Sequence, residues 1–230
     1  MDREKGEADF NPHAESYDDA HRQNIQMGGE EPDYYASYKA KMMQGILGES
    51  ARDLRVLDFG CAIGNLTEKL VSTFPGSEIW GYDPADKCVE IASKRVNGAT
   101  FTTSLDSLGE GSLDAIVMAN VLHHIPPHER SNVVTRAAAL LRPQGAMFVF
   151  EHNPYNPLTQ YVVKTCPFDE GVVLLPPREV RKLLAHAELV ELEQHYIVFF
   201  PKRLARLRPL ERRLSWLPAG AQTCTWAKRA

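Results

Sequence analysis

The stretch Val56-Leu57-Asp58-Phe59-Gly60-Cys61-Ala62-Ile63-Gly64-Asn65-Leu66-Thr67 holds the residue types best suited to gripping a nucleoside-like ligand. A short apolar run ends on an acid, turns through two glycines and opens a helical pattern. Glycine lets backbone approach a ligand closely, because no Cβ stands in the way. The helix start beyond it offers unpaired N–H groups to an anionic group. Asp83 ends the next apolar run, where a carboxylate in a doubly wound sheet can accept hydrogen bonds from ribose hydroxyls. A dinucleotide fingerprint needs Gly-x-Gly-x-x-Gly, and the spacing here is Gly60-x-x-x-Gly64. That spacing speaks against an NAD-dependent oxidoreductase, which remains the alternative enzyme on the same topology.

Three histidines stand where proton transfer is easiest to arrange. His123 and His124 follow a fourth apolar run, and His152 follows a fifth within Phe150-Glu151-His152-Asn153. Open α/β sheets keep their sites at such strand ends, and histidine titrates near neutral pH. His152 is the first choice as base, His124 the second, and His123 completes the set. Glu151 can orient a substrate or a histidine, or cap the following turn. No metal is expected, since Cys61, Cys88, Cys166 and Cys224 form no Cys-x-x-Cys pair and no clear carboxylate cluster stands out.

These groups need a scaffold, and the pattern supplies one. Helices are expected over residues 12–26 and 32–48, then strands and helices alternate: strand 54–58, helix 65–74, strand 78–82, helix 85–96, extended 100–103, strand 113–119, helix 127–141 and strand 146–150. Short apolar strands separated by helices of about a dozen residues indicate βαβ units and a parallel sheet. Beyond residue 151 the rhythm changes. Helices near 158–164 and 177–186 precede an extended run over 189–199 and a last strand over 221–227. The expected fold is α/β, a Rossmann-like doubly wound sheet, mostly parallel with an antiparallel C-terminal edge strand, plus N-terminal helices. It reads as a single domain over 1–230, with N-terminal helices (1–49), an alternating core (50–152) and loops with closing strands (153–230).

On these residues the chain resembles the class I S-adenosylmethionine-dependent methyltransferases of small-molecule type. Asp58, Gly60 and Gly64 match the family's first motif and Asp83 its ribose-binding acid. The run from Ser112 to Pro126 looks like its fourth-strand motif, and Leu141-Arg142-Pro143-Gln144-Gly145-Ala146 like the turn before its fifth strand. The resemblance covers residues 50–152 and departs at Ala62, where the family has a glycine. It implies a transferase that binds S-adenosylmethionine and releases S-adenosylhomocysteine, with 1–49 as a helical lid, 50–152 as the cofactor-binding core and 153–230 on the substrate side. The implied cofactor residues are Asp58, Gly60, Cys61, Ala62, Gly64, Asn65, Asp83, Pro84, Ser104, Leu105, Asn120 and Tyr17, and Asp106 competes with Ser104 and Leu105 for the place near adenine. Glu151, His152, Asn153 and Tyr155 are expected on the substrate side. The implied reaction is methylation of an O, N or C nucleophile in biosynthesis. The C-terminal third is similar to methyltransferases of glycan or secondary-metabolite pathways. A non-catalytic cofactor-binding regulatory module is the other alternative.

Composition narrows the partners. Net charge is -4, and residues 1–50 hold eleven acids against five bases, while 201–230 hold eight bases against one acid. Such a balance does not describe a nucleic-acid binder. No apolar leader follows the charged start and no run reaches a membrane span, so a cytoplasmic monomer or homodimer is expected. The segment 201–217 interleaves leucine with arginine. It can seek an anionic lipid surface, cover a sheet edge or meet a second subunit, and Pro209 argues against one long membrane helix.

Overall fold

The expected alternation is realised as a seven-stranded sheet in the computed structural model, which describes residues 30–48, 51–166 and 171–230. The strands are β1 (Arg55–Phe59), β2 (Glu78–Tyr82), β3 (Ala99–Thr102), β4 (Leu113–Ala119), β5 (Leu141–His152), β6 (Leu189–Ile197) and β7 (Gln222–Arg229). They lie in the order β3-β2-β1-β4-β5-β7-β6. Strands β1 to β5 pair in parallel, whereas β7 runs antiparallel to both β5 and β6. The antiparallel C-terminal strand is thus present, one position in from the border, with β6 outermost. The flanking helices are α1 (Pro32–Leu47), α2 (Asn65–Thr73), α3 (Asp86–Arg95), α4 (Arg130–Leu140), α5 (Pro157–Thr165), α6 (Pro177–His186) and the single turn α7 (Glu211–Leu214). The helix expected over 12–26 lies outside the described residues.

The period-2 geometry of a strand sends successive side chains to opposite faces, and both faces here are covered. Leu57, Ile116, Met118, Met147 and Val149 pack with Val134 and Ala137 of α4 and Val180 and Leu184 of α6. Their neighbours Val56, Ala115, Val117, Phe148 and Phe150 pack with Ala36, Ala40 and Met43 of α1 and Leu66 and Leu70 of α2. Burial on both sides explains why β4 reads as a continuous apolar run from Ala115 to Ala119.

Two arginines tie the helical layer to the loops. Arg130, buried at the start of α4, donates to the carbonyls of Ile125 and Val173 at 2.9 Å each and meets Glu179 at 3.4 Å. It joins the histidine turn, the segment before α6 and α6 itself. Arg229 donates to the carbonyls of Ala138, Ala139 and Leu141, satisfying the C-terminal end of α4. The basic segment forms a 3₁₀ stretch, Lys202–Leu210, running into α7. Among the described residues, no helix is long and apolar enough to cross a membrane.

Candidate active site

Parallel order brings the carboxyl ends of β1, β2, β4 and β5 to one rim. The loop after β1 is fastened there: the N–H groups of Gly60 and Cys61 donate to the Tyr82 carbonyl at 2.7 and 2.9 Å. Asp83 Oδ2 accepts the Ala62 N–H at 2.9 Å, and its Oδ1 accepts the Ala85 N–H at 2.9 Å. Asp83 therefore shapes both loops of the rim, and burial pushes its carboxyl up. Pro84 lies between Asp83 and Ala85 in the chain, inside the turn that the Ala85 N–H bond to Oδ1 closes.

The glycines answer to packing more than to ligand approach. Gly60 and Gly64 both have positive φ. A Cβ at Gly60 would stand 2.6 Å from Val121 Cγ2, and one at Gly64 would stand 2.9 Å from Val96 Cγ2. Ala62 also adopts a left-handed conformation, φ 45, which is mildly unfavourable for an L-residue. Its bond to Asp83 holds it in place. Cys61 is buried and contributes through its backbone. Asn65 opens α2.

Asp58 sits beneath the loop, 1% exposed, and accepts the Thr67 hydroxyl at 2.7 Å. Burial, reinforced by Asp83, pushes its carboxyl up to about 7, against the hydrogen bond from Thr67 and the charge of Lys39. Lys39, on α1, is itself buried and lies 5.9 Å from the centroid of the Phe150 ring. Burial pushes its ammonium down to about 8, although Glu151 and Asp58 favour its charge. Sequence reasoning passed over this lysine. The signal was there: Ala36, Ala40 and Met43 form the buried stripe of α1, and position 39 falls inside that stripe at helical spacing.

The raised Asp58 carboxyl has a measurable consequence. The folded state keeps this proton to about pH 7, while the unfolded chain releases it near the ordinary value of 3.8. The resulting stability is therefore complete below about pH 4 and lost as pH rises through about 7. Unfolding in urea should show wild type losing stability relative to Asp58→Asn over that window. At roughly 1.4 kcal/mol per pH unit, the loss is on the order of 4 kcal/mol. Parallel pH profiles for the two proteins would refute this.

Beyond β4, Asn120 adopts φ 59 and its Oδ1 is buried with no hydrogen-bond partner among the described residues. The turn Leu122–His124 follows. Glu151, at the end of β5 and 1% exposed, reaches across to it. Glu151 Oε1 accepts the Leu122 N–H at 2.8 Å, and Oε2 meets His123 Nδ1 at 2.6 Å. Burial alone would push this carboxyl up, but His123, His152 and the Leu122 N–H outweigh it and hold it below its usual range. The buried His123 ring lies 4.1 Å from that of His124 and 5.3 Å from that of His152, centroid to centroid. The three histidines and Glu151 thus form one cluster at the ends of β4 and β5.

The other expected residues divide. Asn153 is fully buried, with Nδ2 donating to the Pro218 and Gly220 carbonyls and Oδ1 accepting the Tyr155 N–H. Its side chain braces the loop after β5, while Tyr155 is 50% exposed. Ser104 follows β3 and accepts the Asp106 N–H, capping the turn that contains Leu105. Tyr17 lies outside the described residues. Among the described residues, no group of three or more His, Cys, Asp and Glu side chains is placed to hold a metal ion.

The sheet order and the rim it creates are those of the class I S-adenosylmethionine-dependent methyltransferases. A family model described as a methyltransferase domain matches residues 32–217, and the chain belongs to that family. It is 27% identical over 164 residues to a ubiquinone biosynthesis O-methyltransferase of Methylocella silvestris, covering 64% of this chain and 62% of that one. It is 24% identical over 169 residues to a trans-aconitate 2-methyltransferase of Mycolicibacterium gilvum, covering 66% and 65%. The chain thus spans somewhat less than two thirds of either relative. Among solved structures, a SAM-dependent methyltransferase from Thermotoga maritima superposes with a TM-score of 0.66 at 16% identity, over 96% of this chain and 98% of that one.

Proposed function

We propose that this protein transfers a methyl group from S-adenosylmethionine to a small-molecule acceptor, with His152 as the proton acceptor and His124 as the second candidate. The observation that carries the reading is the clustering of Glu151, His123, His124 and His152 beside the clamped loop after β1.

The rim fits the cofactor. The buried Asn120 Oδ1 offers an acceptor to a donor group, the Lys39 ammonium offers charge to a carboxylate, and Asp83 keeps lone pairs for ribose hydroxyls. Bound there, S-adenosylmethionine supplies an electrophilic methyl group together with its own leaving group. The protein's part is to position, exclude water and take a proton. With Nδ1 turned to Glu151, His123 has Nε2 as its basic ring atom, and its burial makes it a positioning residue. His152 is more accessible than His123, and the Glu151 carboxylate favours positive charge on it. Asn153 shapes the substrate-side loop rather than touching the substrate. The ubiquinone biosynthesis O-methyltransferase relative makes oxygen acceptors the first to try.

Calorimetric titration of the purified protein with S-adenosylmethionine and S-adenosylhomocysteine, followed by labelled-methyl transfer to an acceptor panel, tests this. Micromolar binding with turnover is expected. Binding without any turnover would favour the regulatory-module reading, and no binding by folded protein would overturn the proposal.

A further inference from the structure

The segment 201–217 is anchored and yet turned outward. Arg208 pairs with Glu30, and its guanidinium lies 4.1 Å from the centroid of the Tyr34 ring. Glu211, buried, accepts the N–H groups of Phe199 and Phe200 at 3.0 and 3.1 Å and the Tyr38 hydroxyl at 3.0 Å. Both anchors reach the rest of the protein, and Glu30, Tyr34 and Tyr38 belong to α1 or its approach. A solvated connector so fixed would be expected to turn its leucines in. Instead Leu204, Leu207 and Leu210 are 40–47% exposed and Trp216 is 73% exposed.

In a 3₁₀ helix residues three apart eclipse one another. Leu204, Leu207 and Leu210 therefore fall on one stripe, although the backbone kinks at Leu204. Lys202, Arg203, Arg206, Arg212 and Arg213 are exposed beside it, and the sole acid of 201–217, Glu211, is buried. The next residues, 218–221, are bonded to the loop after β5 and the start of α5, where Leu158 and Tyr161 are 54% and 57% exposed. The segment thus presents an exposed leucine stripe and five exposed bases, with its single acid buried.

We propose that this face docks on an anionic lipid surface, the leucines and Trp216 entering the headgroup boundary while the bases meet lipid phosphates. A nucleic acid would satisfy the bases but leave the leucine stripe in water, and a neutral apolar partner would leave the bases unmatched. The inference stands independently of methyl transfer.

The test is flotation of the full chain with phosphatidylcholine vesicles, with and without phosphatidylglycerol. Co-flotation is expected only with the anionic vesicles and should weaken at high salt. Leu204→Ser/Leu207→Ser and Arg203→Glu/Arg206→Glu should each lower the bound fraction at least about 10-fold. Thermal unfolding should stay unchanged, because these side chains are exposed. Failure of the wild type to bind anionic vesicles overturns the proposal, as does equal binding by both variants. A lipid-free dimer abolished by the leucine variant also overturns it, assigning the face to a second copy.

Discussion

Replacing Asp83 with Ala should weaken S-adenosylmethionine binding about 100-fold or more in a protein that still folds. In the proposed site its carboxylate accepts from the cofactor's ribose hydroxyls, and each hydrogen bond to a charged group contributes roughly 1.5–3 kcal/mol. Two such bonds account for the loss, since about 1.4 kcal/mol is tenfold in affinity. A further share comes from the loop, because the Ala62 N–H loses its acceptor and the strained Ala62 its restraint. Calorimetry on wild type and variant measures the effect, with circular dichroism confirming the fold. An affinity within about threefold of wild type would place the ribose elsewhere.

Glu151→Gln should lower turnover about 100-fold or more while changing cofactor affinity little. The glutamine oxygen can still accept the Leu122 N–H, but its amide then presents a donor to His123 Nδ1, and the negative charge is gone. General-base catalysis typically contributes 10²–10⁴-fold. Loss of the charge also disfavours protonated histidine, so the acidic limb of the kcat/KM profile should move to lower pH, and Glu151→Asp should restore part of the rate. A rate loss with no movement of the pH profile would reduce Glu151 to a structural brace.

Much of this arrangement was legible in the residues themselves. The strands 78–82 and 113–119 and the helix 177–186 fall where the pattern put them, because each is bounded by turn residues or proline and its period is unambiguous. Boundaries slipped where local chemistry pointed both ways. The helix expected from 127 begins at Arg130, since Pro126 to Glu129 close a separate turn. β5 begins at Leu141, not 146, because Leu141 already pairs with Leu113 across an irregular register. The pattern marked 221–227 as a strand but held no signal for its partners, so β7's place between β5 and β6 emerged only in three dimensions. In the candidate site, the strand ends bring Glu151, His123, His124 and His152 together. The pattern did not separate the buried His123 from its more accessible neighbours, nor reveal that Asn153 is a brace. Lys39 was missed because a lone lysine in a polar-looking helix reads as solvent-exposed until the stripe around it is counted.

The place of β7 also sets an order of events during synthesis. Among the described residues β6 pairs with no strand but β7, so it cannot join the sheet when it leaves the ribosome. Until β7 follows, β5 presents an open row of backbone groups on an apolar strand, the kind of edge that recruits other chains. Closure then joins segments some seventy residues apart, as in Phe150 opposite Cys224, a long-range step that comes late. Glu151 and His152, the last residues of β5, pair with Thr223 and Gln222, so this part of the histidine cluster is fixed only once that late pairing is made.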